Sequence, residues 1–158
     1  MAIQLPDSEC IICGLAILPD QEALGFPPFI GNESDALHIF NDSLVHASCL
    51  SRHPLRSQLA KALDEHSSHV GPLHRKCCIC GLQIDHPDDF MGLGYLSTNF
   101  HSPLYRYNFK QFHCGCFKNW HELNDFARAL KIEVDSGNAK GRAIERLLSL
   151  ISAVDTLG

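Results

Sequence analysis

Eight cysteine and histidine side chains recur along this chain in a single order and spacing. Cys10-x-x-Cys13 precedes His46-x-x-Cys49, and Cys77-x-x-Cys80 precedes His113-x-x-Cys116, each member of the first set returning 67 positions later. A Cys-x-x-Cys turn presents two sulfurs at a separation suited to two corners of a tetrahedron with Zn–S bonds of about 2.3 Å. The His-x-x-Cys pair, three residues apart at the start of a helix, supplies the other two corners. Soft thiolates favour zinc or an iron–sulfur cluster over magnesium or calcium. A mixed Cys/His set favours zinc, because ordinary clusters use four cysteines. A catalytic zinc keeps one position open for water or substrate. Each set here fills all four, so the expectation is two structural Zn2+ ions and no catalytic residue.

Gly14 and Gly81 follow the second cysteine of each pair, where a turning backbone favours positive φ. Cys78 and Cys114 depart from the repeat, their counterparts being Ile11 and Ala47. The economical reading makes them small buried apolar residues beside the site. The alternatives make Cys78 a replacement ligand, or either one an exposed redox thiol. Only Cys77 keeps the spacing of the first copy. The eight cysteines could also suggest disulfides, but residues 1–6 show neither a basic region nor a long apolar run. The expected setting is cytoplasmic, where thiols stay reduced.

The repeat extends past the ligands. Ile12-Cys13-Gly14-Leu15 matches Ile79-Cys80-Gly81-Leu82, Asn32 matches Asn99, Leu37 matches Leu104, and Asn41 matches Asn108. Such self-similarity marks an internal duplication. Each copy should therefore build the same elements: a Cys-x-x-Cys-Gly turn, a loop, a β-prone run (Leu37 to Phe40; Leu104 to Phe109), and a helix. Leu55, Leu59, Ala62 and Leu63 form one apolar stripe, and Trp120, Leu123, Ala127, Leu130 and Val134 form the other. Pro54 suits the first turn of the earlier helix, and residues 67–72, rich in Ser, Gly and Pro, read as a linker. A last helix, from Asn138 to Leu157, presents Ile144, Leu147, Leu148, Ile151 and Val154 on one face. It is expected to pack across both modules, the other option being a partner-binding helix.

A Cys-x-x-Cys-Gly knuckle, a hairpin, and a helix whose first turn carries the last two ligands resemble the treble-clef zinc fold, the broad group that includes LIM-type modules. The resemblance covers residues 10–63 and 77–130. It departs from LIM half-sites in the 32 residues between Cys13 and His46 and in lacking an interleaved second site. It implies an α+β protein of two duplicated zinc modules, residues 1–68 and 69–136, followed by a C-terminal helix within 137–158. At this size each copy needs its metal to fold.

Formal charge is −5, and two zinc-loaded Cys₃His sites would bring it to about −7. Residues 1–51 contain Asp7, Glu9, Asp20, Glu22, Glu33, Asp35 and Asp42, with no Lys or Arg. Such a module repels phosphate backbones. An apolar, proline-stiffened loop (residues 24–30) lies inside it, so Asp20, Glu22, Phe26, Phe29, Glu33 and Asp35 are the expected contacts for a protein partner with a basic surface. The second copy offers Arg106, Lys110 and Lys118 among Tyr105, Tyr107, Phe109, Phe112 and Phe117. That pattern reads either as a nucleic-acid surface or as a hairpin with aromatics facing the core. No zinc-deaminase, zincin or phosphate-loop motif is present, and the remaining histidines share no spacing. The sequence thus points to a non-catalytic adaptor or inhibitor, an immunity protein against a toxin being one form, with nucleic-acid binding as the alternative.

Overall fold

The computed structural model describes residues 8–155. Residues 1–7, including Asp7 and the stretch on which the absence of a leader was read, and residues 156–158, at the end of the expected last helix, lie outside the described part. The fold is mixed α+β, with two separate two-stranded sheets and five α-helices among the described residues. No helix there is long and apolar enough to cross a membrane.

The duplication is obeyed element by element. In the first copy β1 (Ala23–Phe26) pairs antiparallel with β2 (Ser43–His46), which runs straight into α1 (Ala47–Ser51) and then α2 (Arg56–His69). In the second, β3 (Phe90–Gly92) pairs with β4 (Gln111–His113), followed by α3 (Cys114–Phe117) and α4 (Leu123–Asp135). A further helix, α5 (Arg142–Asp155), has no counterpart.

The runs at Leu37 to Phe40 and Leu104 to Phe109 are not strands. They contain 3₁₀ turns, His38–Phe40 and Tyr105–Tyr107. The cause is local. The Asp35 carboxylate accepts the Leu37 N–H and the Ser102 hydroxyl accepts the Leu104 N–H, turning the chain so that Leu37 and Leu104 plug the two cores. An asparagine then secures each loop. Asn41 Oδ1 accepts the N–H groups of Phe29 and Ile30, and its Nδ2 donates to Ile30 O. Asn108 repeats this on Leu96 and Ser97, 67 residues later. The residue after each asparagine takes a left-handed backbone, Asp42 at φ +46° and Phe109 at φ +59°. For a bulky Phe that is strained. The Phe109 ring is held by stacking on His69, centroids 4.5 Å apart, and by packing on Tyr95 at 4.6 Å.

Two other expectations shift by a few residues. Pro54 lies before α2 rather than in its first turn, because the His53 ring accepts the Leu55 N–H and makes a turn first. The expected linker is half helix: Ser67, Ser68 and His69 complete α2, the serine hydroxyls donating to the Asp64 and Glu65 carbonyls.

Two hydrophobic cores follow the two copies. One gathers Ile17, Phe26, Phe29, Leu37, Phe40, Val45 and Leu59, and takes in Tyr95 from the second copy. The other gathers Ile84, Leu96, Leu104, Phe112, Trp120 and Phe126, with Ile144, Leu147 and Ile151 of α5. Helix α5, expected to spread over both modules, packs chiefly on the second, its apolar face completing that core. It reaches the first copy through Ala143, which lies so close to Gly31 that a Cβ on the glycine would stand 3.0 Å from it, and through its approach. There Asn32 Nδ2 donates to Asn138 O, the Lys140 N–H donates to Asn32 Oδ1, the Glu33 N–H donates to Lys140 O, and the Ser34 hydroxyl donates to Gly137 O. Gly141, at φ +101°, leaves room for the Glu33 side chain, which a Cβ would strike. Thr98 donates through its N–H and hydroxyl to Asp35, and the Tyr95 and Tyr105 hydroxyls donate to Glu65. The two modules are joined by polar groups that are satisfied across the junction.

Two outcomes are expected. Truncation of a fully buried side chain on α5, Ile144→Ala, lowers unfolding free energy by about 3 kcal/mol, whereas Glu145→Ala on the exposed face changes it little; denaturant titration separates them. His66 is half-buried at the junction beside Phe29 and Phe109, and burial lowers its pKa. It takes up a proton less readily when folded than the unfolded imidazole does near pH 6.5. Stability therefore falls as pH drops below about 6.5, and His66→Phe flattens that part of the profile.

Candidate metal centres

Each centre is assembled from three pieces of chain. The first is the knuckle. The Cys10 N–H donates to Leu15 O at 2.9 Å and the Gly14 N–H donates to Cys10 O at 2.7 Å; Cys77, Leu82 and Gly81 repeat both bonds at 2.9 Å. Gly14 and Gly81 sit at φ +70° and +74°, the conformation their position called for. The second piece is the strand end. The Ile11 N–H donates to Leu44 O on β2 and the Cys78 N–H donates to Gln111 O on β4, which docks each knuckle beside the histidine. The third is the short helix. His46 and His113 are extended N-cap residues at ψ 135° and 143°, and Cys49 and Cys116 lie in the turn that follows.

The ligand atoms of Cys10, Cys13, His46 and Cys49 all lie within 4.8 Å of one another, and so do those of Cys77, Cys80, His113 and Cys116. A tetrahedral zinc with thiolate bonds of about 2.3 Å requires sulfurs just under 4 Å apart, so both sets are placed to hold an ion. Nδ1 is the nitrogen that faces the sulfurs. His46 Nδ1 is 3.5 Å from Cys13 Sγ and 3.8 Å from Cys49 Sγ, and His113 Nδ1 is 3.4 Å from Cys80 Sγ. The opposite nitrogen is already engaged: His46 Nε2 lies 2.9 Å from Gln21 Oε1, and His113 Nε2 lies 3.2 Å from the Gln83 carbonyl. A donor hydrogen bond from Nε2 fixes the tautomer that leaves Nδ1 free to ligate.

The electrostatics call for a cation. Burial would push the Cys10 thiol up, but N–H groups of His46, Cys13 and Ile12 aimed at its sulfur bring it down to about 6. Cys77 reaches about 6 in the same way, burial being outweighed by the N–H groups of Cys80, His113 and Ile79. With those thiolates formed, the last cysteine of each set resists ionising. Burial and the neighbouring Cys77 and Cys80 sulfurs push Cys116 up to about 11, and burial with Cys13 and Cys10 raises Cys49. Three thiolates packed this closely repel one another unless a divalent ion sits among them.

The centres are alike in donors and unlike in exposure. Cys10 and Cys77 are buried, Cys13 and Cys80 exposed, Cys49 and Cys116 half-buried; His46 is buried whereas His113 is not. Cys78 and Cys114 belong to neither group, and both are exposed, so the expectation of two buried thiols is corrected. They flank the ligands Cys77 and His113 on a tight turn and a helix start, where adjacent side chains diverge. Gln21 was missing from the sequence reading. The repeat offers no signal for it, because the matching position holds Asp88.

The expected partner surface divides. Phe26 and Phe29 are buried in the first core and drop out of that surface, Phe26 as the end of β1 and Phe29 in the loop that Asn41 holds. Asp35 is used on Thr98, and exposed Glu33 packs at the approach to α5. Asp20 and Glu22 remain exposed beside the first knuckle. In the stretch 101–118, Tyr107, Phe112 and Phe117 are buried. Arg106 and Lys110 bind Glu122 at 2.9 and 2.8 Å, leaving Lys118 exposed.

Comparison with protein-family models, curated proteins and solved structures finds no match for this chain.

Chelator competition on the zinc-loaded chain should release two equivalents of zinc. Gln21→Ala should weaken one site about 10-fold or more, as loss of such a histidine-orienting group does, and leave the other unchanged. Gln21→Glu, which keeps an acceptor, restores it.

Proposed function

We propose that this chain is a non-catalytic, zinc-stabilised binding protein that works by protein–protein contact, as an adaptor or as an inhibitor covering a basic surface. The observation that carries the reading is the closure of both centres. Three thiols and one imidazole converge within 4.8 Å in each, so the protein itself fills every corner of a tetrahedron. The bound ions then serve as staples that let two small cores fold, and the chain acts through its surface. Each copy, with its knuckle, hairpin and ligand-bearing helix, is proposed to be a treble-clef-like module.

The charge distribution supports the choice of partner. The 51-residue stretch that forms the first knuckle, β1, β2 and α1 has seven carboxylates and no Lys or Arg, which favours a basic protein and disfavours nucleic acid. An immunity protein that neutralises a nucleic-acid-cleaving toxin is one concrete form, since nucleases present basic active-site faces. The engagement of Arg106 and Lys110 by Glu122 weighs against a nucleic-acid surface at residues 101–118.

The test is capture and identification of a bound protein by the zinc-loaded chain from cells that produce it. Charge reversal at Asp20 and Glu22 together should weaken that complex at least 10-fold, largely through a slower association rate that added salt mimics. Neutralising Arg106, Lys110 and Lys118 should leave it intact. Tight, salt-sensitive binding to nucleic acid that vanishes with those three charges would overturn the proposal.

A further inference from the structure

Four large apolar side chains are exposed on the first knuckle and the strand beside it. Ile11 is 53% exposed, Leu15 66%, Leu18 52% and, on β1 alongside, Leu24 39%. The backbone holds them in one small structure. The Cys10–Leu15 hydrogen bond and the bridge between Glu9 and Ala16 close the knuckle, the Ile11 N–H ties it to Leu44 on the strand next to Leu24, and the Leu18 N–H donates to Gln21. Gln21 also orients the zinc-ligating His46, so the metal centre and this face are built on the same residues. Exposed Glu9, Asp20 and Glu22 flank the cluster in sequence, and no Lys or Arg occurs anywhere in residues 1–51.

The second knuckle serves as an internal control. Its backbone and its ligands repeat the first, yet Cys78 replaces Ile11, Asp85 replaces Leu18, Lys76 replaces Glu9, and the counterpart of Leu24, Met91, is buried. Only Leu82 stays as exposed as Leu15, at 66%. The second knuckle keeps acidic neighbours in Asp85, Asp88 and Asp89 and exposes Ile79 at 36%, so what folding a zinc knuckle does not require is the set of Ile11, Leu18 and Leu24. A cluster of exposed aliphatic groups within a one-signed charge field is the signature of a contact surface.

We propose that the outer face of the first knuckle, formed by Ile11, Leu15, Leu18 and Leu24 with Glu9, Asp20 and Glu22 around it, is the docking surface for a protein segment that is both basic and aliphatic. Aliphatic side chains of that segment cover the leucines while its Lys or Arg side chains meet the acidic rim, and the zinc holds the knuckle rigid beneath them. This rests on the protein-binding reading above and names where the contact is made.

The probe is a synthetic amphipathic helix of lysine and leucine, with a glutamate–leucine helix as its control, titrated into the zinc-loaded full chain. Amide chemical shifts should move at Ile11, Leu15, Leu18 and Glu22, and not at the second knuckle. Leu15→Glu combined with Leu18→Glu should weaken binding at least 10-fold while zinc content stays at two per chain. Leu82→Glu should leave binding unchanged. Binding that survives Leu15→Glu/Leu18→Glu, or maps elsewhere on the chain, overturns this surface and leaves the protein-binding reading standing. Equal binding of the glutamate–leucine helix removes the charge complementarity and overturns the proposal. Failure of the lysine–leucine helix to bind at all overturns this surface, and the capture experiment above decides the protein-binding reading separately. Self-association in sedimentation that Leu15→Glu abolishes would assign the face to a second copy of this chain instead.

Discussion

The crowding of three sulfurs and an imidazole, which lets all three cysteines ionise together only around a cation, is the constraint on which the rest of the structure depends. In each centre the backbone has already brought one buried cysteine to about 6 by aiming N–H groups at its sulfur, and burial together with the neighbouring sulfurs drives one other, Cys49 or Cys116, upward. A set of donors arranged like this is suited to a divalent ion, which would let all three sulfurs ionise at once. Because the donors come from the knuckle, the end of a strand and the first turn of a helix, the ion ties together elements too short to persist alone. The sheets have two strands of three or four residues each, and α1 and α3 have five and four residues. Nothing so small holds its shape by backbone hydrogen bonding alone.

Above that level the two copies depend on each other. Tyr95 leaves its own module and enters the first core, and its hydroxyl donates to Glu65 on α2. Asn32 shows how a duplicated residue acquires a second task. In both copies the asparagine at this position accepts an N–H two residues ahead, from Ser34 or from His101. In the first copy alone the same side chain also receives the Lys140 N–H and donates to Asn138 O, fastening the approach to α5. The junction has thus been built from groups that the single module already used to shape its own loop.

How far the sequence could be read follows from the range of each interaction. The eight donors and the order of elements were legible because identical spacing twice over leaves little freedom, and Gly14 and Gly81 were legible because a left-handed turn restricts the residue. The strands were misplaced because Leu37-to-Phe40 is apolar for a different reason: Asp35 turns the chain and Leu37 plugs the core. The route of α5 was half legible. Its apolar stripe said that it is buried, but a stripe carries no address, and the polar contacts that place its approach span more than a hundred residues of sequence. Phe26 and Phe29 looked like a surface loop because proline and acidic neighbours surround them, whereas Asn41, eleven and twelve residues away, draws the loop inward. Gln21 left no trace because the second copy solves the same problem with a backbone carbonyl.

The division of charge between the copies has a structural cost that helps to explain its form. Among the described residues the ion pairs all lie in the second copy, where Arg106 and Lys110 share Glu122 and Arg128 meets Asp125. Lys110 also lies over the Tyr107 and Trp120 rings, so the positive groups there are spent on holding aromatics and an acid in place. The first copy has no Lys or Arg in residues 1–51, and its Arg52, Arg56 and Lys61 follow only after α1. Its carboxylates are either turned to backbone and hydroxyl donors, as Asp35 is, or left in water, as Asp20 and Glu22 are, and a loaded Cys₃His centre adds a further negative charge close by. On the docking proposal, positive charge from a partner would meet these carboxylates most effectively where water competes least, over the exposed leucines of the knuckle.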